Sequence, residues 1–426
     1  MERNDPRYQA YVEILKEELI PAMGCTEPIA LAYAAAKARE VLGVLPDSVQ
    51  LQVSGSIIKN VKSVIVPNTG HLKGMEAAVA AGIIAGSAEK ELEVISEVSE
   101  EKKSAIRDYL QTVPITIEHT EQGHVFDIVV TERCGQDYAR VRIADYHTNI
   151  CRIEKNGTVL YEVPLLDETV QADARADRSL LNMQDIWDFA ETADRRDVAD
   201  LLERQIRYNN AIAEEGLLGD YGANIGRVLL TTYGNDVSNR AKAKAAAGSD
   251  ARMNGCELPV IINSGSGNQG ITCSVPLIEY AKELHSGKEK LYRALIISNL
   301  VAIHEKTGIG TLSAYCGAVS AGAGAGAGIV YLCGDGYQAA IHTVVNALAI
   351  VSGIVCDGAK ASCAAKIASS VDAALLGYNM YKCNQEFKGG DGIVMKDIET
   401  TIKGIGRLGK DGMRQTNEEI IRLMMS

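Results

Sequence analysis

The chain has 426 residues, of which 46% are hydrophobic and 23% charged, with a formal net charge of −12. This balance belongs to a globular protein, not a disordered or fibrous one, and the length allows two or three domains of roughly 100–200 residues. The acidic balance, the absence of any Lys/Arg block, and an aromatic content of 5% with Trp187 as the single Trp argue against a nucleic-acid partner, which needs clustered cations and stacking rings.

In chain order, MERNDPRYQAYVEILKEEL lacks the basic start and apolar run of a secretory signal, so the expected location is the cytoplasm. The ten Cys are then expected as thiols or metal ligands and not as disulfides. Apolar spacing predicts helices over Glu13 to Leu19 and Pro28 to Val41, with a loop from Pro21 to Glu27 between them. Thr26 is placed as an N-cap followed by Glu27 and Pro28, which sets Cys25 beside the positive end of a helix. VQLQVSGSI and KSVIVPN read as strands, Gly74 to Ala88 and Glu100 to Leu110 as helices. VPITIEH, HVFDIVVTE, YARVRIADYHT and CRIEKNGTVLYEV read as antiparallel strands with a hairpin turn at Asn156-Gly157. LLDETVQADARADRS is the candidate linker, and beyond it the pattern is almost wholly helical.

The expected fold class is therefore α+β. Residues 1–44 form amino-terminal helices carrying Cys25, 45–170 a mixed α/β domain with antiparallel strands, and 171–426 an all-helical domain. The uncharged run from Gly308 to Cys333 is long enough to test as a membrane span. Its Gly, Ala and Ser gain little from lipid but let helices approach closely, so an interior helix is expected and no membrane partner. AGAGAGAG at Ala321–Gly328 would weaken an isolated helix by about 1 kcal/mol per Gly, which close backbone packing must offset.

Two motifs could carry chemistry. SGSGNQG at Ser264–Gly270 follows a strand-like segment and matches G-x-G-x-x-G, but the ribose-binding acid of a dinucleotide fold is missing and Pro276 interrupts the expected helix. A structural turn, or a nest of N–H groups for a small anion, remain open. Cys356 and Cys363, with six residues between them, could reach one inorganic cluster with Cys316 as a third ligand, although buried structural thiols would look the same. His71, His304 and His342 show no zinc spacing.

These residues carry a resemblance. The C-terminal half looks like the alpha-chain domain of the bacterial iron–sulfur L-serine dehydratases, and the whole chain resembles their relatives, the L-cysteine desulfidases, at SAYCGAVSAG, GIVCDG, ASCAAK, PAMGCTEP and VSGSIIKN. The resemblance implies a [4Fe–4S] cluster held by Cys316, Cys356 and Cys363, with one iron open to a thiolate substrate. It implies β-elimination of L-cysteine to sulfide, ammonia and pyruvate, in which iron weakens the C–S bond as a Lewis acid. The serine dehydratases carry H-T-x-G-P where this chain has Cys25-Thr-Glu-Pro and end in a Cys, whereas this chain ends RLMMS. Serine or another β-substituted amino acid is the alternative substrate.

Cys25 is the candidate base, its thiol acidified by the helix start. Glu27 is a candidate for the substrate ammonium. Ser54, Ser56, Asn68, Thr69, Ser264, Ser266 and Asn268 are candidates for binding its carboxylate, each against the alternative of an ordinary turn or strand-end group. A pyridoxal enzyme using Lys59 would leave the three cysteines unexplained. A non-enzymatic ligand-binding or scaffold protein stays open, because fold does not fix function. A homodimer is the expectation from general frequency.

Overall fold

The computed structural model describes residues 1–120, 124–165, 175–310 and 312–425. Helix α1 (Pro6–Glu18) is opened by the Asp5 carboxylate, which accepts from the Arg7 N–H at 2.9 Å, with Pro6 at the first helical position. Strand β1 (Pro21–Met23) leads into α2 (Thr26–Leu42), which ends at Gly43 in the left-handed region. There follow β2 (Ser48–Ser54), α3 (Gly55–Val61), α4 (Gly74–Ala85), α5 (Glu100–Thr112), β3 (Ile115–Thr120), β4 (Asp127–Cys134), β5 (Asp137–Ala144), β6 (Ile150–Lys155) and β7 (Thr158–Glu162).

The second part runs α6 (Met183–Thr192), α7 (Arg195–Leu218), α8 (Ile225–Tyr233), α9 (Val237–Met253), β8 (Pro259–Ile261), α10 (Gly267–Glu283) and α11 (Lys288–Ile309). It continues with α12 (Gly317–Cys333), α13 (Tyr337–Val351), α14 (Ser362–Lys382), α15 (Ile398–Arg407) and α16 (Arg414–Met425). The architecture is α+β, with a sheet in the amino-terminal region and a helical remainder. The candidate linker falls largely on residues 166–174, outside the described residues, as does the expected boundary at 170/171.

Six strands form one sheet in the order β3-β2-β4-β5-β6-β7, and α2 packs on β4 and β5. The hairpin at Asn156-Gly157 has both residues at positive φ (50° and 80°), as a two-residue turn between right-twisted strands requires. Three expectations are corrected. Strand β3 pairs parallel to β2, not antiparallel, because α3, α4 and α5 form the crossover that brings the chain back in the same direction. The strand in VQLQVSGSI stops at Ser54 and Gly55 opens α3, where Ile57, Ile58 and Val61 fall on a helical and fully packed face. KSVIVPN is no strand beyond the single bridge Ile65↔Lys73, since Pro67 and the left-handed Asn68 and Gly70 turn the chain back.

A fourth difference bears directly on the site. The loop expected from Pro21 to Glu27 begins with β1, which pairs antiparallel with β8, Pro21 opposite Ile261 and Met23 opposite Pro259. This short ribbon ties the segment carrying Cys25 to the segment carrying SGSGNQG, 240 residues later. Helix α10 starts inside that motif and runs through Pro276 without ending there.

Helix α12 lies between α10, α11, α13 and α14, and its glycines are the reason it can. A Cβ at Gly324 would run into the Ser298 carbonyl and stand 3.2–3.3 Å from Ala302 on α11, while one at Gly322 would meet the Ser370 backbone of α14 at 2.8 Å. The alternating Gly thus trades helix propensity for close backbone packing on two sides. No helix among the described residues is long and apolar enough to cross a membrane. Gly324→Ala is expected to lower stability by about 1–3 kcal/mol in chemical denaturation, against the ~1 kcal/mol gain that helix propensity alone would give. A stabilised variant would show that α11 and α12 do not approach this closely.

Candidate active site

Cys316 is the N-cap of α12, with extended backbone and no side-chain capping bond. The segment before it pairs with the segment leaving α13. Tyr315 bridges Val355, the Cys316 N–H donates to the Ile354 carbonyl at 3.1 Å, and the Cys356 N–H donates to the Ala314 carbonyl at 2.6 Å. These reciprocal bonds set Cys316 and Cys356 next to one another. Cys363, in the first turn of α14, curls back so that its Sγ lies 3.5 Å from the Gly358 carbonyl. All three thiols are half-buried and near enough to feel one another electrostatically. Burial, reinforced by Cys356, pushes the Cys316 thiol up to about 12, and burial likewise raises Cys363.

Two cations lie under these thiols. Lys59 on α3 and Lys306 on α11 are 2% and 7% exposed, and among the described residues neither ammonium meets a carboxylate. Lys59 Nζ donates to Asn417 Oδ1 at 2.7 Å and the Cys356 carbonyl at 3.3 Å, and Lys306 Nζ donates to the Gly310 carbonyl at 2.5 Å. Burial lowers both, Lys306 to about 8, while the thiols of Cys356 and Cys316 pull in the opposite direction. Lys366 reaches the Val355 carbonyl at 2.9 Å and pairs with Asp357. Buried ammonium groups without carboxylates are costly unless an anion completes the site.

No group of three or more His, Cys, Asp or Glu among the described residues is disposed to hold a single metal ion. A polynuclear cluster takes one thiolate per iron and so does not need all three on one atom. Three neighbouring thiols over two uncompensated cations fit such an anionic group better than a zinc ion.

On the amino-terminal side, Cys25 is the N-cap of α2 and 2% exposed. Here the expected acidification is reversed. Burial raises the Cys25 thiol well above its ordinary value, and the Glu27 carboxylate raises it further. The helix dipole is outweighed because the side chain is dry and its nearest partner, Glu27 Oε2 at 3.1 Å, is an anion that accepts the S–H. Glu27 also accepts from Thr26 Oγ1 at 3.1 Å and Asn60 Nδ2 at 3.2 Å. His147 Nε2 stands 3.9 Å from Oε1, near enough for an ion pair but not a hydrogen bond. Burial works to raise Glu27, but His147 and the donors prevail and hold it at about 2. The ring of His147 is fixed edge-on by Phe126, with centroids 4.7 Å apart.

The two halves meet. Lys59 feels both Glu27 and the thiols of Cys356 and Cys316, and Gly358 packs so tightly on the Lys59 backbone that a Cβ there would have no room. The SGSGNQG loop also touches both. Its Gly265 carbonyl accepts from Thr26 Oγ1 at 3.0 Å, and the side chain of Gln269 fills the space where a Gly317 Cβ would stand, next to Cys316.

Ser266 is the N-cap of α10 and Asn268 lies in its first turn. Ser264, with left-handed backbone, donates to Asn263 Oδ1 at 2.8 Å. Ser56 is buried on α3. The remaining candidates are engaged elsewhere. Ser54 donates to the Val125 carbonyl at 2.7 Å, and Thr69 donates to the Val66 carbonyl at 2.7 Å. Asn68 gives its amide to the Ile95 and Ser96 carbonyls at 2.8 and 3.3 Å. Missed by sequence reasoning were Lys59 in this role, Lys306, His147, Gln269 and Arg252. Glu27 was found because it shares the Cys25 motif.

Both carboxyl oxygens of Glu305 on α11 are buried without a well-formed hydrogen bond among the described residues; the Ser320 hydroxyl is near enough to favour the charged form but does not offset burial. Burial raises Glu305 well above the ordinary carboxylate range. The folded chain therefore holds a proton that the unfolded chain releases, so this group's contribution is intact at low pH and lost as pH rises through and beyond the ordinary range. Glu305→Gln is expected to gain thermal stability relative to wild type between about pH 5 and about pH 8. A difference in melting temperature that stays constant with pH would show that Glu305 ionises in place.

Comparison with known proteins now adds to the geometry. The family profile of the serine dehydratase alpha chain matches residues 89–422. A UPF0597 protein of Desulfitobacterium hafniense is 61% identical over the whole chain and 99% of its own length. UPF0597 proteins of Lachnoclostridium phytofermentans and Treponema denticola are 52% and 47% identical, over 98% and 100% of this chain and the full length of each relative.

Proposed function

Because the chain belongs to the serine dehydratase alpha chain family, we propose that it is a lyase that removes the β-substituent of a small L-amino acid, L-cysteine first, and holds a [4Fe–4S] cluster on Cys316, Cys356 and Cys363. The observation that carries this reading is the meeting of three thiols, two buried lysines without carboxylates and the Cys25–Glu27 pair around one loop. When bound, the cluster would supply a Lewis-acidic iron able to take a soft sulfur donor. Lys59 and Lys306 offset the negative charge of the thiolates from below, which favours release of their protons on assembly.

The chain's own groups then bind and orient the substrate. The Glu27 carboxylate, ionised at neutral pH, receives the α-ammonium, and the first turn of α10 offers N–H groups to the α-carboxylate. In the free protein Cys25 keeps its proton, which it donates in a hydrogen bond to the Glu27 carboxylate. An ammonium beside Glu27 cancels the charge that holds the proton there, so the thiol becomes acidic only when the site is filled. Having released its own proton to solvent as the substrate binds, the Cys25 thiolate takes the Cα proton, the Cα–H electron pair forms the Cα–Cβ double bond, and the Cβ–S pair leaves with sulfide. The released enamine hydrolyses to pyruvate and ammonia. Ten unpaired cysteines and an oxidisable cluster suit the reducing cytoplasm.

The test is anaerobic purification, followed by sulfide and pyruvate assays on L-cysteine, D-cysteine and L-serine. Sulfide and pyruvate in equal amounts from L-cysteine are expected. Faster turnover of L-serine would shift the reading to a dehydratase, and no pyruvate from any of them would end it.

A further inference from the structure

Arg252, in the last turn of α9, is 2% exposed and forms no ion pair among the described residues. Among the described residues its side chain makes one hydrogen bond, from Nη1 to Asn268 Oδ1 at 3.1 Å, and its Nε is buried with no partner. The guanidinium occupies the space a side chain at Gly267 would need, so it lies against the first turn of α10. Ser266 makes no side-chain capping bond to that turn, whose leading N–H groups keep their capacity to donate. On the far side, Arg252 is close enough to Cys25 to act on its thiol electrostatically. A cation so fully removed from water, with a planar fork of donors partly unused, needs an anion of matching shape.

We propose that Arg252, together with the first-turn N–H groups of α10, binds the α-carboxylate of the substrate, so that the site accepts only amino acids whose carboxylate is free. This rests on the lyase reading for its substrate class and adds the residue that selects it. The loop that opens α10 touches Thr26, next to Cys25, through the Gly265 carbonyl, and Gln269 in the first turn of α10 touches Gly317, next to Cys316. A carboxylate anchored there places Cα towards Cys25 and leaves the β-substituent free to point to the three thiols. Arg252 is a positioning residue in this scheme, acting on the substrate's unreactive end.

The test uses the anaerobically purified full chain and L-alanine, which has the carboxylate and ammonium but no leaving group. Calorimetry is expected to show L-alaninamide binding roughly 30-fold weaker or more than L-alanine, as for a buried charge pair deprived of one partner. R252Q should weaken L-alanine to the same degree, leave alaninamide unchanged and retain iron. R252K, which keeps the charge without the fork, should fall between. With L-cysteine, KM should rise while kcat falls much less. Equal binding of alanine and alaninamide by the wild type, no binding of alanine at all, or full alanine affinity in folded R252Q and R252K would each overturn the proposal. The wild-type comparison decides even if neither variant folds. Should the wild type bind alanine through Arg252 yet turn over no amino acid, the lyase reading fails and the carboxylate site stands.

Discussion

Serine in place of Cys316 is expected to leave a folded chain that retains no intact cluster. The residue is an N-cap without a capping bond, and serine is among the preferred residues there, so α12 should start at the same place or more firmly. Serine at Cys363 likewise keeps a short polar side chain able to donate to the Gly358 carbonyl. Folding and ligation are thereby separated. Iron and acid-labile sulfide measured per chain should fall from about four to near zero, and lyase activity should drop on the order of 10³-fold or more with loss of the Lewis acid. Because burial pushes the Cys316 and Cys363 thiols up, iron loading of the wild type should release protons and improve as pH rises. Full iron content in C316S and C363S, with circular dichroism unchanged, would remove the cluster from these residues.

Cys25→Ala should keep the iron and lower kcat by about 10²–10⁴-fold, the usual worth of a positioned base. Cys25 also lacks a side-chain capping bond, so the loss would not be one of folding. Glu27→Gln distinguishes the pair from a lone thiol. Burial and the carboxylate together hold Cys25 well above its ordinary value. A reaction that needs the thiolate therefore gains rate as pH rises towards that value. Removing the carboxylate leaves burial alone to raise the thiol, so the alkaline limb of kcat/KM should move to lower pH in E27Q, with a raised KM from the lost ammonium partner. An unchanged limb would mean that Cys25 is not the group whose ionisation is observed.

The parts of this site that the sequence made visible are those packed into short local motifs. Cys316, Cys356 and Cys363 could be singled out because each lies in a distinctive string, and Cys25 and Glu27 because they open a helix together. Their environment could not be read in the same way. A thiol at a helix start is ordinarily acidified, and only the burial of Cys25 against Glu27, visible in three dimensions, reverses the sign. Nothing in the sequence singles out Arg252 near the end of α9, and His147 falls inside the segment YARVRIADYHT read as a strand, which ends at Ala144. Neither local pattern shows that the side chain meets segments far away in the chain. The fold shows the same division. Helices α2, α4 and α5 and the hairpin at Asn156-Gly157 follow from periodicity and turn chemistry. The parallel pairing of β3 and the β1–β8 ribbon depend on where the chain returns, which no local window contains.

Helix α16 supplies a last element around Lys59. Its Asn417 grips Lys59 across 358 residues of chain, its Met424 carbonyl accepts from Lys62, and Ile421 packs on Gly55. During synthesis the nascent polypeptide presents Cys25, Glu27 and Lys59 early, and the segment that locks Lys59 into position emerges hundreds of residues later. Domains that fold as they leave the ribosome are built from neighbouring stretches, and this one is not. On the proposed reading, cluster assembly would accordingly be a late event in the life of the molecule, acting on an almost complete polypeptide.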